Sequence, residues 1–139
     1  MITKTVKLGG KGNTKTVLIG GGNPVSVQTM WKDGITDLDT NTTKLDSILQ
    51  QLNELSLIGC DIVRFAVPDM ASAEGLCLIA ERTSMPLVAD IHFDYKLALE
   101  CLKGNVAAIR INPGNIGSVE NTKTVVEACR EMELQSVLV

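Results

Sequence analysis

The sequence is poor in aromatic residues and has no closely spaced cysteines. Phe, Trp and Tyr make up 3% of the 139 residues. Successive cysteines are 17, 24 and 28 residues apart, so no Cys-x-x-Cys pair is present to form a local zinc or iron–sulfur motif. We expect the thiols to be reduced and buried in apolar surroundings. They are Cys60, Cys77, Cys101 and Cys129.

Two further absences narrow the class of protein. The net charge is −3, so the chain lacks the basic excess that neutralises nucleic-acid phosphates. No apolar run reaches membrane-spanning length, and the first residues do not resemble a signal peptide. The sequence therefore predicts a cytoplasmic protein with neither a nucleic-acid nor a membrane partner. Apolar residues make up 45% of the chain, enough for one domain with a core.

Segments with the apolar spacing of strands and segments with the apolar spacing of helices follow one another along the chain. Residues 5–8 and 14–19 flank a glycine-rich stretch, which predicts a β-hairpin. We therefore divide the chain into residues 1–24, an N-terminal β-hairpin with a glycine-rich connection, and residues 25–139. In the second part, five predicted strands alternate with four predicted helices. The strands are predicted at 25–29, 62–67, 87–92, 107–112 and 134–139.

The predicted helices have recognisable boundaries. The first has an apolar face that ends at Ile58, and Gly59 is expected to stop it. The second is predicted from about Ser72 to Arg82. Asp94 and Ser118 are expected to cap the third and fourth helices, since their side chains can accept hydrogen bonds from free backbone N–H groups. The residues expected on the inward face of the first helix are Leu45, Ile48, Leu49, Leu52, Leu55 and Ile58.

Alternating strands and helices predict a parallel sheet flanked by helices. An open doubly wound sheet and a TIM (β/α)8-type barrel both fit this pattern. Polar residues follow nearly every strand, which favours the barrel, because its site collects residues from many strands. About four and a half β/α units are present, so we predict a partial barrel, the amino-terminal half. Its exposed edge and apolar surface predict a homodimer or other self-association.

Polar side chains interrupt three apolar strands. Asp90 and His92 share one face of their strand, as do Arg110 and Asn112 of the next, because strand side chains alternate. Arg64 occupies a similar position in an earlier strand. Guanidinium groups fit phosphate bidentately, and an imidazole can donate to a phosphate or move a proton. The pattern predicts an anion site in which Asp90 orients His92 or Arg110.

Each of these residues also has another interpretation. Arg64 or Arg110 taken alone could equally form a structural salt bridge. His92 taken alone could be structural, and Asp90-x-His92 could bind a metal ion. A glycine-containing turn at 113–117 could present backbone N–H groups to an anion or could simply connect a strand to a helix.

Three segments match the pattern of one enzyme family in order and spacing. They are Val63-Arg64-Phe65-Ala66-Val67-Pro68, Leu87-Val88-Ala89-Asp90-Ile91-His92-Phe93-Asp94 and Arg110-Ile111-Asn112-Pro113-Gly114-Asn115-Ile116-Gly117. The chain resembles the 4-hydroxy-3-methylbut-2-enyl diphosphate synthase family over about residues 5–130. Residues 25–30 are similar to the first strand of that family.

The resemblance implies an oxidoreductase of the methylerythritol phosphate (MEP) pathway of isoprenoid, or terpenoid, biosynthesis. Such an enzyme converts 2-C-methyl-D-erythritol 2,4-cyclodiphosphate to 4-hydroxy-3-methylbut-2-enyl diphosphate. It implies a homodimer, with ferredoxin or flavodoxin delivering electrons through a [4Fe–4S] cluster. Arg64, His92, Arg110 and Asn112 would hold the diphosphate, with Asp90 beside them. The resemblance leaves the catalytic residues unassigned.

The resemblance places the cluster on a carboxyl-terminal iron–sulfur domain that is absent from this chain. None of the four cysteines matches a cluster ligand, so we expect neither a cofactor ligand nor a metal ligand in residues 1–139. We therefore expect this part alone to be inactive in turnover. Residues 31–34, which include Trp31 and Lys32, depart from the family pattern, as do residues 134–139.

Two other functions fit the residues. One is a different phosphate-binding barrel enzyme, either aldolase-like or a pterin-binding synthase. The aldolase-like enzyme would need a Schiff-base lysine, and Lys96 and Lys103 fall in a helical pattern that suits this role poorly. The other is a non-catalytic fragment that only self-associates. Binding of a cyclic diphosphate would separate these functions from the first.

Overall fold

The computed structural model describes residues 6–9, 14–19, 21–22, 26–92, 94–111, 119–131 and 137–138. Strands β1 (Val6–Gly9) and β2 (Thr16–Ile19) form an antiparallel pair. Further strands and helices then alternate along the chain. They are β3 (Gln28–Met30), α1 (Thr42–Leu57), β4 (Ile62–Val67), α2 (Met70–Arg82), β5 (Leu87–Ile91), α3 (Tyr95–Cys101), β6 (Ala108–Ile111), α4 (Val119–Glu131) and β7 (Val137–Leu138).

Strands β3 to β7 form one parallel sheet in which each strand neighbours the next along the chain. A doubly wound sheet reverses its strand order at a switch point and carries helices on both faces. Here residues of all four helices pack into a single core with alternate residues of the strands. Sequential parallel strands with helices on one face are the architecture of a partial (β/α)8 barrel. The predicted fold class is therefore confirmed.

The two faces of the sheet have different neighbours. Val63, Phe65 and Ile109 are among the strand residues that face the helices. On the opposite, inner face, three buried residues form a second apolar cluster at the amino-terminal ends of their strands. This inner apolar layer consists of Ile62, Val88 and Ala108, and Val17 and Ile19 of β2 pack against it. The two-stranded sheet thus covers one end of the inner face.

Hydrogen bonds from the two residues before β2 hold the two-stranded sheet against the loops that precede β5 and β6. The backbone N–H of Lys15 donates to the carbonyl of Ser84 at 2.9 Å. The hydroxyl of Thr14, a buried residue, donates to the carbonyl of Asn105 at 3.3 Å. Residues 10–13, where the glycine-rich turn is expected, lie outside the described part, so that turn stays a prediction.

Several helix boundaries follow from local chemistry. The Asp69 side chain accepts from the backbone N–H of Ser72 at 2.8 Å and starts α2 at Met70, slightly earlier than predicted. Asp94 caps α3 as predicted, accepting from Lys96 N at 2.9 Å. Ser118, the predicted cap of α4, lies outside the described residues.

Two burial predictions are wrong. The apolar spacing predicts Ile58 on the inward face of α1, but Ile58 lies beyond the last helical residue and is 80% exposed. The chain turns away there, with Gly59 at a φ of 101° that favours glycine. Cys77 is only partly buried, whereas the other three cysteines are buried.

Among the described residues, none of the helices combines the length and apolarity of a membrane span.

The loop between β3 and α1 packs tightly against α2 at Gly75. A Cβ atom at this buried position would overlap the carbonyl oxygen of Ile35. In an unhindered helix, replacing Gly by Ala stabilises by about 1 kcal/mol. We expect the opposite for Gly75→Ala, a loss of about 1–3 kcal/mol in the free energy of unfolding, because the loop has to move.

Urea unfolding followed by circular dichroism measures this difference. The neighbouring exposed Glu74 offers a control, since Glu74→Ala should change the stability by no more than about 0.5 kcal/mol. A Gly75→Ala variant as stable as the parent, or more stable, would contradict the close approach of Ile35.

Candidate anion-binding site

A polar layer lies directly above the inner apolar layer. Arg64, Asp90 and Arg110 are each two residues further along their strands than Ile62, Val88 and Ala108, and therefore point to the same face. Asp90 is the register partner of Arg110 on β6 and of Ala66 on β4, so Arg64 is its diagonal neighbour. His92 follows the end of β5. Strand alternation and the parallel register together bring the side chains of Arg64, Asp90 and Arg110 close to one another.

The carboxylate of Asp90 is the centre of the site. The residue is 2% exposed, and its Oδ1 accepts a hydrogen bond from Arg110 Nη1 at 2.9 Å. Its other oxygen, Oδ2, lies 3.6 Å from Arg64 Nε and 3.5 Å from His92 Nε2. We call these four residues the Asp90 cluster. The structure thus brings together four of the five residues selected from the sequence.

The charged side chains of the cluster differ in how far they are exposed to solvent. The Asp90 side chain is 3% exposed, whereas those of Arg64, Arg110 and His92 are 26%, 37% and 40% exposed. Two guanidinium charges against one carboxylate leave one net positive charge, and a protonated imidazole would add another. The negative group is buried and the positive groups reach solvent. Such an arrangement suits an anion that approaches from solvent.

The Arg64 guanidinium has spare hydrogen-bonding capacity. Its Nε is buried and has no hydrogen-bond partner among the described residues, because the 3.6 Å to Asp90 exceeds hydrogen-bond length. Its Nη2 donates to the sulfur of Met30 at 3.5 Å, and a thioether is a weak acceptor. Arg64 is therefore held mainly by charge and can turn toward a stronger acceptor.

Met30 is a neighbour of the site that was not selected from the sequence. It is the last residue of β3 and the register partner of Arg64 on β4. The sequence signal that could have identified Met30 is its position at the end of a strand that neighbours the strand of Arg64. It was missed because an apolar residue at a strand end does not stand out from the core pattern.

Two other features predicted from the sequence are not seen in the Asp90 cluster. Asn112 and residues 113–117 lie outside the described residues, so their part in the site stays a prediction. Trp31 stacks on Phe65, with ring centroids 5.3 Å apart, and joins the core on the helix side. The neighbouring Lys32 is exposed.

The described residues do not form a metal site. No group of three or more His, Cys, Asp or Glu is placed to hold a metal ion among them. Next to Asp90 and His92, the two guanidinium groups also oppose a metal cation electrostatically. Burial raises the pKa of the Cys101 thiol and raises that of Cys129 to about 11, so these thiols stay protonated at neutral pH. This part of the chain does not fit an iron–sulfur cluster.

A separate cavity lies elsewhere among the described residues. It has a volume of about 570 Å³ and is lined by residues of α2, α3 and the loop before α1, including Glu74, Cys77 and Glu100. Those residues belong to the helix layer, whereas the Asp90 cluster lies on the inner face of the sheet. We take the cluster as the candidate site because its charges converge.

Comparison with known proteins agrees with the architecture and the motifs. A model of the GcpE TIM-barrel domain matches residues 4–136. A 4-hydroxy-3-methylbut-2-en-1-yl diphosphate synthase (flavodoxin) of Treponema denticola is 53% identical over 130 residues, which is 94% of this chain and 32% of the relative. The synthase of the same name from Treponema pallidum is 50% identical, over 91% of this chain and 30% of the relative.

A relative with lower identity carries the same name and covers a similar share of the chain. The 4-hydroxy-3-methylbut-2-en-1-yl diphosphate synthase (flavodoxin) of Clostridium acetobutylicum is 44% identical over 95% of this chain and 34% of its own length. The chain thus spans about a third of the length of the curated relatives it matches.

The burial of Asp90 generates a stability prediction. Asp90→Asn removes the charge that offsets Arg64 and Arg110, and leaves the buried Nε of Arg64 without a nearby anion. Breaking a fully buried pair costs about 3–5 kcal/mol. Because both arginines are partly exposed, we expect a smaller loss of about 2 kcal/mol in the free energy of unfolding.

Denaturant unfolding measures the free energy of unfolding of Asp90→Asn and of a control variant, Asp46→Asn. Asp46 is an exposed residue of α1, so the same change of charge there should have almost no effect. Equal stabilities of the two variants would show that Asp90 does not organise its neighbours.

Proposed function

The chain belongs to the GcpE TIM-barrel family, and we propose that it is the substrate-binding part of a 4-hydroxy-3-methylbut-2-en-1-yl diphosphate synthase. The substrate would be 2-C-methyl-D-erythritol 2,4-cyclodiphosphate, and the product the hydroxymethylbutenyl diphosphate of isoprenoid biosynthesis. The names of relatives 44–53% identical over most of the chain support this assignment.

The observation that carries the proposal is the convergence of Arg64, Arg110 and His92 on the buried Asp90. Arg110 uses Nη1 for Asp90 at 2.9 Å, and a guanidinium has four further N–H donors. Those donors can bind phosphate oxygens bidentately without breaking the bond to Asp90. Arg64 would contribute its Nη groups by turning away from Met30. A diphosphate would then satisfy donors that now face solvent or a weak acceptor.

Each residue of the cluster has a distinct proposed role. Arg64 and Arg110 neutralise the phosphates, and His92 donates from the edge, where its side chain is 40% exposed. Asp90 is too deeply buried to approach a phosphate, and two negative groups would repel. We therefore assign it as a positioning residue for Arg110 rather than as a direct ligand. Asn112 is proposed as an amide donor on the basis of the motif alone.

The remaining parts of the reaction are proposed to lie outside residues 1–139. A [4Fe–4S] cluster, with its ligands on a separate carboxyl-terminal domain, would supply electrons to the substrate. Flavodoxin or ferredoxin would deliver those electrons to the cluster. Flavodoxin appears in the relatives' names. Within this chain, we propose that residues 1–24 cover the barrel end and that residues 25–139 build the diphosphate site. The chain alone would bind substrate without converting it.

We also propose a cytoplasmic location and self-association as a homodimer. Strand β3 has one neighbour, β4, in the sheet of the described residues. Val27, immediately before β3, is 54% exposed. Unpaired edges and exposed apolar groups favour association with another surface.

Calorimetric titration with the cyclic diphosphate tests the proposed function. We expect the protein to bind, and Arg110→Ala to bind at least about tenfold more weakly, since charge-assisted hydrogen bonds contribute about 1.5–3 kcal/mol each. Arg110→Lys should fall between the two, because an ammonium keeps the charge but loses the fork.

Arg82→Ala is the matched control. Arg82 is an exposed arginine in the last turn of α2, so its loss should leave binding unchanged. Circular dichroism verifies that each variant is folded. If the parent protein binds no diphosphate, the non-catalytic fragment becomes the better description. If Arg110→Ala and Arg82→Ala behave alike, the Asp90 cluster is not the site.

A further inference from the structure

Met30 places an oxidisable sulfur atom against an arginine of the anion site. Its sulfur accepts from Arg64 Nη2 at 3.5 Å, and the residue is 42% exposed. Solvent oxidants convert accessible methionines to the sulfoxide, which changes an apolar side chain into a polar one. We propose that Met30 is a reversible oxidation site and that its sulfoxide weakens diphosphate binding by engaging Arg64. This regulation rests on the proposed function of the Asp90 cluster.

The other described methionines differ from Met30 in exposure or position. Met85 is 3% exposed and belongs to the helix-side core, so oxidants reach it poorly. Met70 is 41% exposed, nearly the same as Met30, but is the first residue of α2. Met70 therefore reports on general methionine oxidation, while Met30 reports on oxidation next to Arg64. Met1 and Met132 lie outside the described residues.

The reaction needs only a peroxide as oxidant. A lone pair of the Met30 sulfur attacks one oxygen of hydrogen peroxide, a sulfur–oxygen bond forms and the oxygen–oxygen bond breaks. The hydroxide that leaves takes up the remaining proton and becomes water. The sulfur loses two electrons and the peroxide gains them. Methionine sulfoxide reductases reverse the change, with one enzyme for each sulfoxide epimer.

The sulfoxide changes the acceptor that faces Arg64. A thioether accepts hydrogen bonds weakly, whereas a sulfoxide oxygen carries a large partial negative charge and accepts strongly from a guanidinium. Arg64 is free to respond, because its Nε lies 3.6 Å from Asp90 and makes no hydrogen bond there. The sulfoxide oxygen would then compete with phosphate oxygens for the Nη groups. Losing one charge-assisted hydrogen bond corresponds to about a tenfold weaker affinity.

The experiment uses inorganic diphosphate as the probe and calorimetry as the readout. The purified protein is treated with dilute hydrogen peroxide and then with dithiothreitol, which reverses cysteine sulfenates and disulfides but leaves methionine sulfoxide. Peptide mass spectrometry measures the oxidised fraction at Met30 and Met70. We expect diphosphate affinity to fall about tenfold. Treatment with both sulfoxide reductases should restore the starting affinity.

Two leucine variants locate the effect. Each variant is compared with its own untreated sample. The affinity of Met30→Leu should not change on peroxide treatment, whereas Met70→Leu should lose affinity as the parent does. Leucine keeps the apolar volume at both positions without an oxidisable sulfur. Circular dichroism before and after peroxide shows whether the fold is retained.

Three results would overturn the inference. The first is unchanged affinity with Met30 fully oxidised. The second is the same peroxide-induced loss in Met30→Leu as in the parent. The third is a Met30 that stays reduced while Met70 is oxidised. If the untreated parent binds no diphosphate, the proposed function fails, and the regulation fails with it. Binding that is normal and insensitive to peroxide rejects only the regulation.

Discussion

The hydrogen bond between Arg110 and Asp90 joins β6 to the central strand β5 on the inner face of the sheet. Asp90 and Arg110 are register partners, and their side chains meet at 2.9 Å beneath the solvent-facing surface. Without this bond, the buried carboxylate of Asp90 would lack its shortest contact to a guanidinium group. A buried charge is tolerated only when it is paired and hydrogen-bonded. The position of Arg64 and the approach of His92 both depend on the same carboxylate.

The inner face is organised in two layers with opposite chemistry. Ile62, Val88 and Ala108 are covered by β2, which excludes water from the amino-terminal end. Two residues further along each strand, the polar side chains reach solvent. The covered layer fixes the strands that carry the charged layer, so the arginines are presented from a rigid support. If the Asp90 cluster binds an anion as proposed, this support would preorganise its donors.

Much of this arrangement could be predicted from the sequence. Strand alternation places Arg64, Asp90 and Arg110 on one face, and Asp94 caps its helix because a carboxylate there accepts from a free N–H. What could not be predicted depends on the path of loops and on packing between distant elements. The exposure of Ile58 follows from the turn at Gly59, and the stacking of Trp31 on Phe65 follows from the path of the chain after β3. Periodicity carries no information about either.

Nitrogen-15 NMR of the arginine side chains tests the central claim most directly. The account predicts that the Arg110 guanidinium rotates slowly and shows separate Nη resonances, and that these collapse in Asp90→Asn. The exposed Arg82 provides the reference for unrestricted rotation in the same spectrum. If the Arg110 guanidinium in the parent protein rotates as freely as that of Arg82, then Asp90 does not hold the site together and the account is wrong.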